Sequence, residues 1–111
     1  MTTTKANWPK VRREIENAMA YVPATARREA VRGHLALLRI GLRGMARHDY
    51  LGEDWIAHNA LQAQAFDRVR RMIGDGKARD CRRVLIQAIE RDSGQPFRWN
   101  PDVTVYDPDA L

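Results

Sequence analysis

Residues 24–47 read ATARREAVRGHLALLRIGLRGMAR, and this stretch decides the fold. Val31, Leu35, Leu38, Leu42 and Met45 recur at alternating steps of four and three. At about 100° per residue they form one narrow apolar stripe, which predicts a helix from about Ala24 to Arg47. Two further faces follow from the same geometry. Arg28, Arg32, Arg39 and Arg43 line up about a quarter-turn from the stripe, with Arg47 slightly off the row. On the remaining side Gly33, Gly41 and Gly44 flank Leu37 and Ile40. Each glycine lowers helix propensity by roughly 1 kcal/mol against alanine. Three of them imply either a second segment approaching closely or a helix kinked near Gly41 to Gly44.

The flanking sequence repeats the helical pattern. Asn7 suits a cap and Pro9 a first turn, and Val11, Ile15, Ala18, Met19 and Val22 follow at helical spacing up to Pro23. After a turn over His48 to Asp54, a third helix is expected from Trp55 to Ile73, with Trp55, Phe66, Val69, Met72 and Ile73 on its apolar side. Gly74-Asp75-Gly76 reads as a stop. A fourth helix is expected from about Ala78 to Arg91, burying Cys81, Val84, Leu85, Ala88 and Ile89, with Gly94 and Pro96 ending it. Phe97 to Leu111 holds two prolines and alternates Val103 and Val105 with Thr104 and Tyr106, which reads as an extended arm. Phe97 and Trp99 are expected to fold back and seal the core, since exposing both invites aggregation. The expected fold is all-α: a compact bundle of about four helices with an extended C-terminal arm. Residues 1–7 form a flexible N-terminus, 8–93 the helical domain, and 94–111 an arm packing on or beyond it.

The chain has 111 residues and a net charge of +5, and sixteen of its nineteen basic residues are arginine. Arginine forms planar, bidentate pairs with phosphate and carboxylate, which suits nucleic acid or an acidic protein surface. A solvated surface coded by a GC-rich genome gives the same count. The single cysteine, Cys81, excludes an internal disulfide and an all-cysteine metal site, and it fits a reducing compartment. Met1 to Asn7 lacks the apolar core of a signal peptide, and no apolar run approaches the roughly 18 residues of a membrane span. A cytoplasmic protein with no membrane partner is expected.

Several constellations bear on chemistry. The arginine row has spacing that could track phosphates or an acidic groove. A second basic segment, with Arg68, Arg71, Arg79 and Arg83 as its candidate binding residues, is interrupted by Asp67, Asp75 and Asp80. The spacing of a helix-turn-helix reader is not apparent in it. Gly74-Asp75-Gly76-Lys77 lacks the preceding strand, the glycine spacing and the hydroxyl of a phosphate loop. His58, Asn59 and Gln62 lie on or beside the face that carries Trp55 and Phe66. They are satisfied core polar groups, a small pocket lining, or, with Trp55, Phe97 and Trp99, a partner interface. His34, His48 and His58 lack the i,i+4 pairing of a helical zinc site, so neither a metal nor a cofactor is expected.

One stretch resembles an enzyme motif. Arg43-Gly44-Met45-Ala46-Arg47-His48-Asp49-Tyr50 fits Arg-x4-His-x-Tyr and resembles the motif of HEPN-type ribonucleases, which are also small helical proteins. The resemblance spans eight residues, and Gly44 stands where that family commonly has a polar residue. It implies a cleft, usually between two subunits, where RNA is cut without metal. His48 would serve as acid or base, Arg43 would stabilise a phosphorane-like charge, and Tyr50 would complete the motif.

Complete catalytic motifs are thin and charged surface is plentiful. The leading expectation is therefore a small basic protein that docks on a macromolecular partner, protein or nucleic acid, and acts by occupying it. Accessory proteins of mobile elements and inhibitors of host machinery are of this general kind. The alternatives are a ribonuclease built on Arg43 and His48, and a homodimeric or larger assembly formed through an open helical face.

Overall fold

The computed structural model describes residues 7–47, 53–97 and 99. Four helices follow in order: α1 (Trp8–Met19), α2 (Arg28–Arg47), α3 (Glu53–Ile73) and α4 (Asp75–Ser93), with no strand among the described residues. Asn7 caps α1 by accepting a hydrogen bond from the Lys10 backbone N–H at 3.2 Å, and Pro9 sits in the first turn. α1 stops at Met19, three residues short of the last periodic position. Ala20 to Val22 close as tight turns, with Val22 N–H donating to the Met19 carbonyl, and Val22 stays buried. α2 starts at Arg28, not Ala24, because Pro23 opens a turn closed by Ala26 N–H on its carbonyl at 3.0 Å.

The break between α3 and α4 is shorter than the glycines suggest. Gly74 alone joins the two helices, at φ 92°, a conformation that needs glycine. Its N–H donates to the Arg70 carbonyl, and its own carbonyl accepts from Ala78. Asp75 then opens α4, three residues earlier than the periodicity indicates, with its carboxylate in the positive first turn. Gly94, at φ 68°, ends α4 in a left-handed cap on the Glu90 carbonyl.

Cross-contacts give an antiparallel up-down-up-down bundle. Arg39 reaches Glu14 and Arg32 reaches Glu16, running α2 against α1. Lys10 pairs with Asp92, and the Cys81 thiol donates to the Ala18 carbonyl at 3.2 Å, running α4 against α1. The predicted α2 stripe is fully enclosed: Val31, Leu35, Leu38, Leu42 and Met45 all lie in the core with Met19, Val69, Leu85 and Ile89. Each large apolar side chain so buried contributes roughly 1.5–3 kcal/mol. Phe97 and Trp99 pack on this core edge-to-face, with ring centroids 5.0 Å apart, and the Phe97 N–H donates to Glu90. The rest of the predicted arm, including Val103, Val105 and Tyr106, lies outside the described residues, as do residues 1–6.

Helix α2 is continuous through Gly41 and Gly44, so these glycines mark close packing and not a kink. A Cβ at Gly41 would stand 2.6 Å from the Gln62 backbone nitrogen and 2.8 Å from the His58 carbonyl oxygen. A Cβ at Gly44 would enter the His58 imidazole. Gly33 differs: a Cβ there would meet nothing within 4 Å.

Candidate docking surface

The predicted arginine row faces α1, and three of its members are engaged there. Arg28 donates to the Val22 and Met19 carbonyls in the turn that follows α1, the Met19 carbonyl also accepting from the Val22 N–H. Arg32 pairs with Glu16 at 3.0 Å on the surface. Arg39 pairs with Glu14 at 2.5 Å, and there both side chains are largely buried. Arg43, half-buried, and Arg47, exposed, bond to no described residue. Row geometry is thus legible in the sequence, while the two carboxylates opposite it depend on how α1 and α2 pair.

The second basic segment is partly self-neutralised. Arg70 bridges Asp67 and Asp75, Arg71 pairs with Asp67 at 3.0 Å, and Arg83 with Asp80 at 3.1 Å. The hydrogen bond from Arg70 holds the Asp67 carboxyl below its ordinary value, with Arg71 adding to the effect, and Asp67 in turn raises Arg70. Arg82 is buried, its guanidinium 3.4 Å from the Phe66 ring centroid, a cation–π contact inside the fold. Arg68 and Arg79 bond to no described residue.

The polar group on α3 belongs mainly to the α2–α3 seam. Trp55 and Gln62 are buried, and Gln62 Nε2 donates to Asn59 Oδ1 at 3.0 Å. His58 and Asn59 are half-buried. His58 Nδ1 lies 2.6 Å from the Asp54 carbonyl, an acceptor only, so Nδ1 carries the proton. The ring therefore lies clamped over Gly44. Burial pushes the Cys81 thiol up to about 11, which makes it an inert core group. Of the ribonuclease-like motif, Arg43 is on the last turns of α2, and His48 and Tyr50 lie outside the described residues. Among the described residues no group of three or more His, Cys, Asp or Glu side chains is placed to hold a metal. No helix there is long and apolar enough to cross a membrane.

The surface left uncommitted lies elsewhere, on α1 and the C-terminal part of α4. Trp8, in the first turn of α1, is 64% exposed. Arg12 and Arg13 follow on the solvent side of α1 and bond to no described residue. Across the α1–α4 groove, of about 160 Å³, Arg91 likewise bonds to no described residue, with Lys10, Asn17 and Asp92 on the walls. Sequence spacing misses Trp8: three residues before Val11 and seven before Ile15, it continues the apolar stripe of α1, yet in the first turn it is left exposed. Compared with known proteins, the chain matches no family model, no curated protein and no solved structure.

Proposed function

We propose that this protein is a docking module that binds an acidic protein partner through α1 and the C-terminal part of α4, and acts by occupying it. The observation that carries this reading is Trp8, a large exposed aromatic side chain, on a helix whose Arg12 and Arg13 bond to no described residue. Tryptophan and arginine are the residue types that most often dominate binding energy at protein interfaces. Arg91 extends the same surface across the groove. Each of these guanidinium groups can take a carboxylate in a bidentate pair without first breaking an ion pair to a described residue.

A protein partner fits better than a nucleic acid. A phosphate backbone rewards a continuous positive field. Here Glu16, Glu29, Asp67, Asp75, Asp80 and Asp92 interleave with the arginines, and three members of the most regular basic row face α1. A surface of mixed sign matches a partner with discrete charges in a fixed pattern.

The test is capture from a nuclease-treated lysate of the source organism, with immobilised wild type, Trp8→Ala, Arg13→Glu/Arg91→Glu, and Arg68→Ala as a control far from α1. The expected result is a protein retained by wild type and control and lost from both other variants, with helicity unchanged by circular dichroism. Capture that disappears on nuclease digestion, or that ignores Trp8 and the two arginines, overturns the reading.

A further inference from the structure

The groove between α1 and α4 has a charge pattern that the described fold leaves incomplete. On the α1 wall Lys10, Arg13 and Asn17 follow at steps of three and four, one row along the helix. On the α4 wall Arg91 and Asp92 stand one turn beyond the buried Ala88. The two carboxylates of the groove are already matched. Asp92 pairs with Lys10, and the buried Glu14 pairs with Arg39 of α2. Setting these two pairs aside leaves Arg13 and Arg91, one guanidinium from each wall, and neither bonds to a described residue. The side-chain amide of Asn17, one turn from Arg13, also bonds to no described residue and adds a neutral N–H donor.

Size and charge together restrict what completes it. At about 160 Å³ the groove is well below the roughly 300–1,000 Å³ of a site for a drug-sized ligand, and a helix about 10–12 Å across does not enter it. It admits the end of one side chain. That group meets a surplus of two positive charges from opposite walls. A carboxylate brings one negative charge and two oxygens in a plane, so it fills one guanidinium fork and leaves the second charge unmatched. A phosphodiester of nucleic acid likewise brings a single charge. A phosphorylated side chain brings about −1.5 to −2 charges at neutral pH and three strong acceptor oxygens. Those oxygens are arranged tetrahedrally, so donors on two walls reach them at once, with one left for the Asn17 amide.

We infer that the α1–α4 groove is a phosphoryl clamp: Arg13 and Arg91 close on a phosphorylated side chain of the acidic partner, and Asn17 donates to its third oxygen. The inference rests on the docking reading for the partner being a protein, and it names the group by which that partner is anchored. Phosphorylation of the partner then switches docking on, because the unmodified side chain brings no charge to match the two arginines.

The experiment is calorimetric titration of the full chain with three short peptides, identical but for a central phosphoserine, glutamate or serine between aspartates. The phosphoserine peptide is expected to bind at least tenfold more tightly than the glutamate peptide, the equivalent of about 1.4 kcal/mol, and the serine peptide most weakly. Arg13→Ala and Arg91→Ala are each expected to lower phosphopeptide affinity about tenfold or more with unchanged helicity, and to bring the phosphoserine and glutamate peptides close together. Trp8 does not line the groove, so Trp8→Ala is expected to keep the phosphoserine preference while losing capture from lysate. Equal affinity for the phosphoserine and glutamate peptides, a preference that survives loss of either arginine, or tighter binding of a short single-stranded DNA than of the phosphopeptide overturns the inference. The first two results leave docking through Trp8, Arg13 and Arg91 standing. A phosphoserine preference that needs both arginines, found together with lysate capture that ignores Trp8, upholds the clamp and overturns the docking reading alone.

Discussion

Along its α1 side, helix α2 reaches outward: Arg28, Arg32 and Arg39 extend long side chains to the carbonyls of Met19 and Val22 and to the carboxylates of Glu16 and Glu14. Along its α3 side it withdraws: Gly41 and Gly44 remove the side chain altogether, so that the His58 ring and the Gln62 backbone rest on α2. The first contact is adjustable, because arginine has many rotamers and tolerates small shifts of α1. The second is rigid, because backbone against backbone leaves no slack. One helix thus holds one neighbour by directed hydrogen bonds and the other by steric fit. Mutations on the two sides should fail in different ways.

The largest effect should come from breaking the buried pair on the α1 side. Arg39→Met leaves the Glu14 carboxylate enclosed without its partner, and a loss of about 3–5 kcal/mol in urea denaturation is expected. Glu14→Leu combined with Arg39→Met should recover most of that loss, since two apolar side chains replace both charges. A double variant no more stable than the single one would show that the pair contributes more than the cost of burying it.

The smallest effect on the same side should come from Arg32→Ala. Its pair with Glu16 is exposed at both ends, so the expected loss is below about 1 kcal/mol and should shrink further in high salt. A loss as large as that of Arg39→Met would erase the distinction between the two pairs.

Much of the fold was legible because it is periodic. The stripe from Val31 to Met45 has one helical solution, and each of its five members is buried. Helix starts were less legible, since they depend on single turns: the Pro23 turn delays α2, and Gly74 needs only one residue to reverse the chain. Gly33, Gly41 and Gly44 look alike as a row, yet two are pressed against α3 and one faces open space. Local sequence does not distinguish them, because the distinction depends on where α3 lies around α2. Glu14 gave a hint, being an acid three residues after Val11 and four before Ala18, on the flank of an apolar stripe. A carboxylate in that position needs a cation from another helix, and Arg39 supplies it. The candidate site was the least legible part. Uncommitted arginines differ from committed ones only in what stands opposite them in space.

The most direct test of the account is a pair of alanine substitutions in α2, followed by thermal unfolding at low protein concentration, where single chains dominate. Both gain the same helix propensity, on the order of 1 kcal/mol. Gly33→Ala has room for its methyl group and should raise the melting temperature by several degrees, at roughly 4–8 °C per kcal/mol for a domain of this size. Gly41→Ala drives its methyl group into the Gln62 backbone and should lower the melting temperature despite the gain in propensity. Shifts of opposite sign are the predicted result. Two increases would mean that α3 does not rest on the α2 backbone, and two decreases would mean that the outer face of α2 is already covered within a single chain.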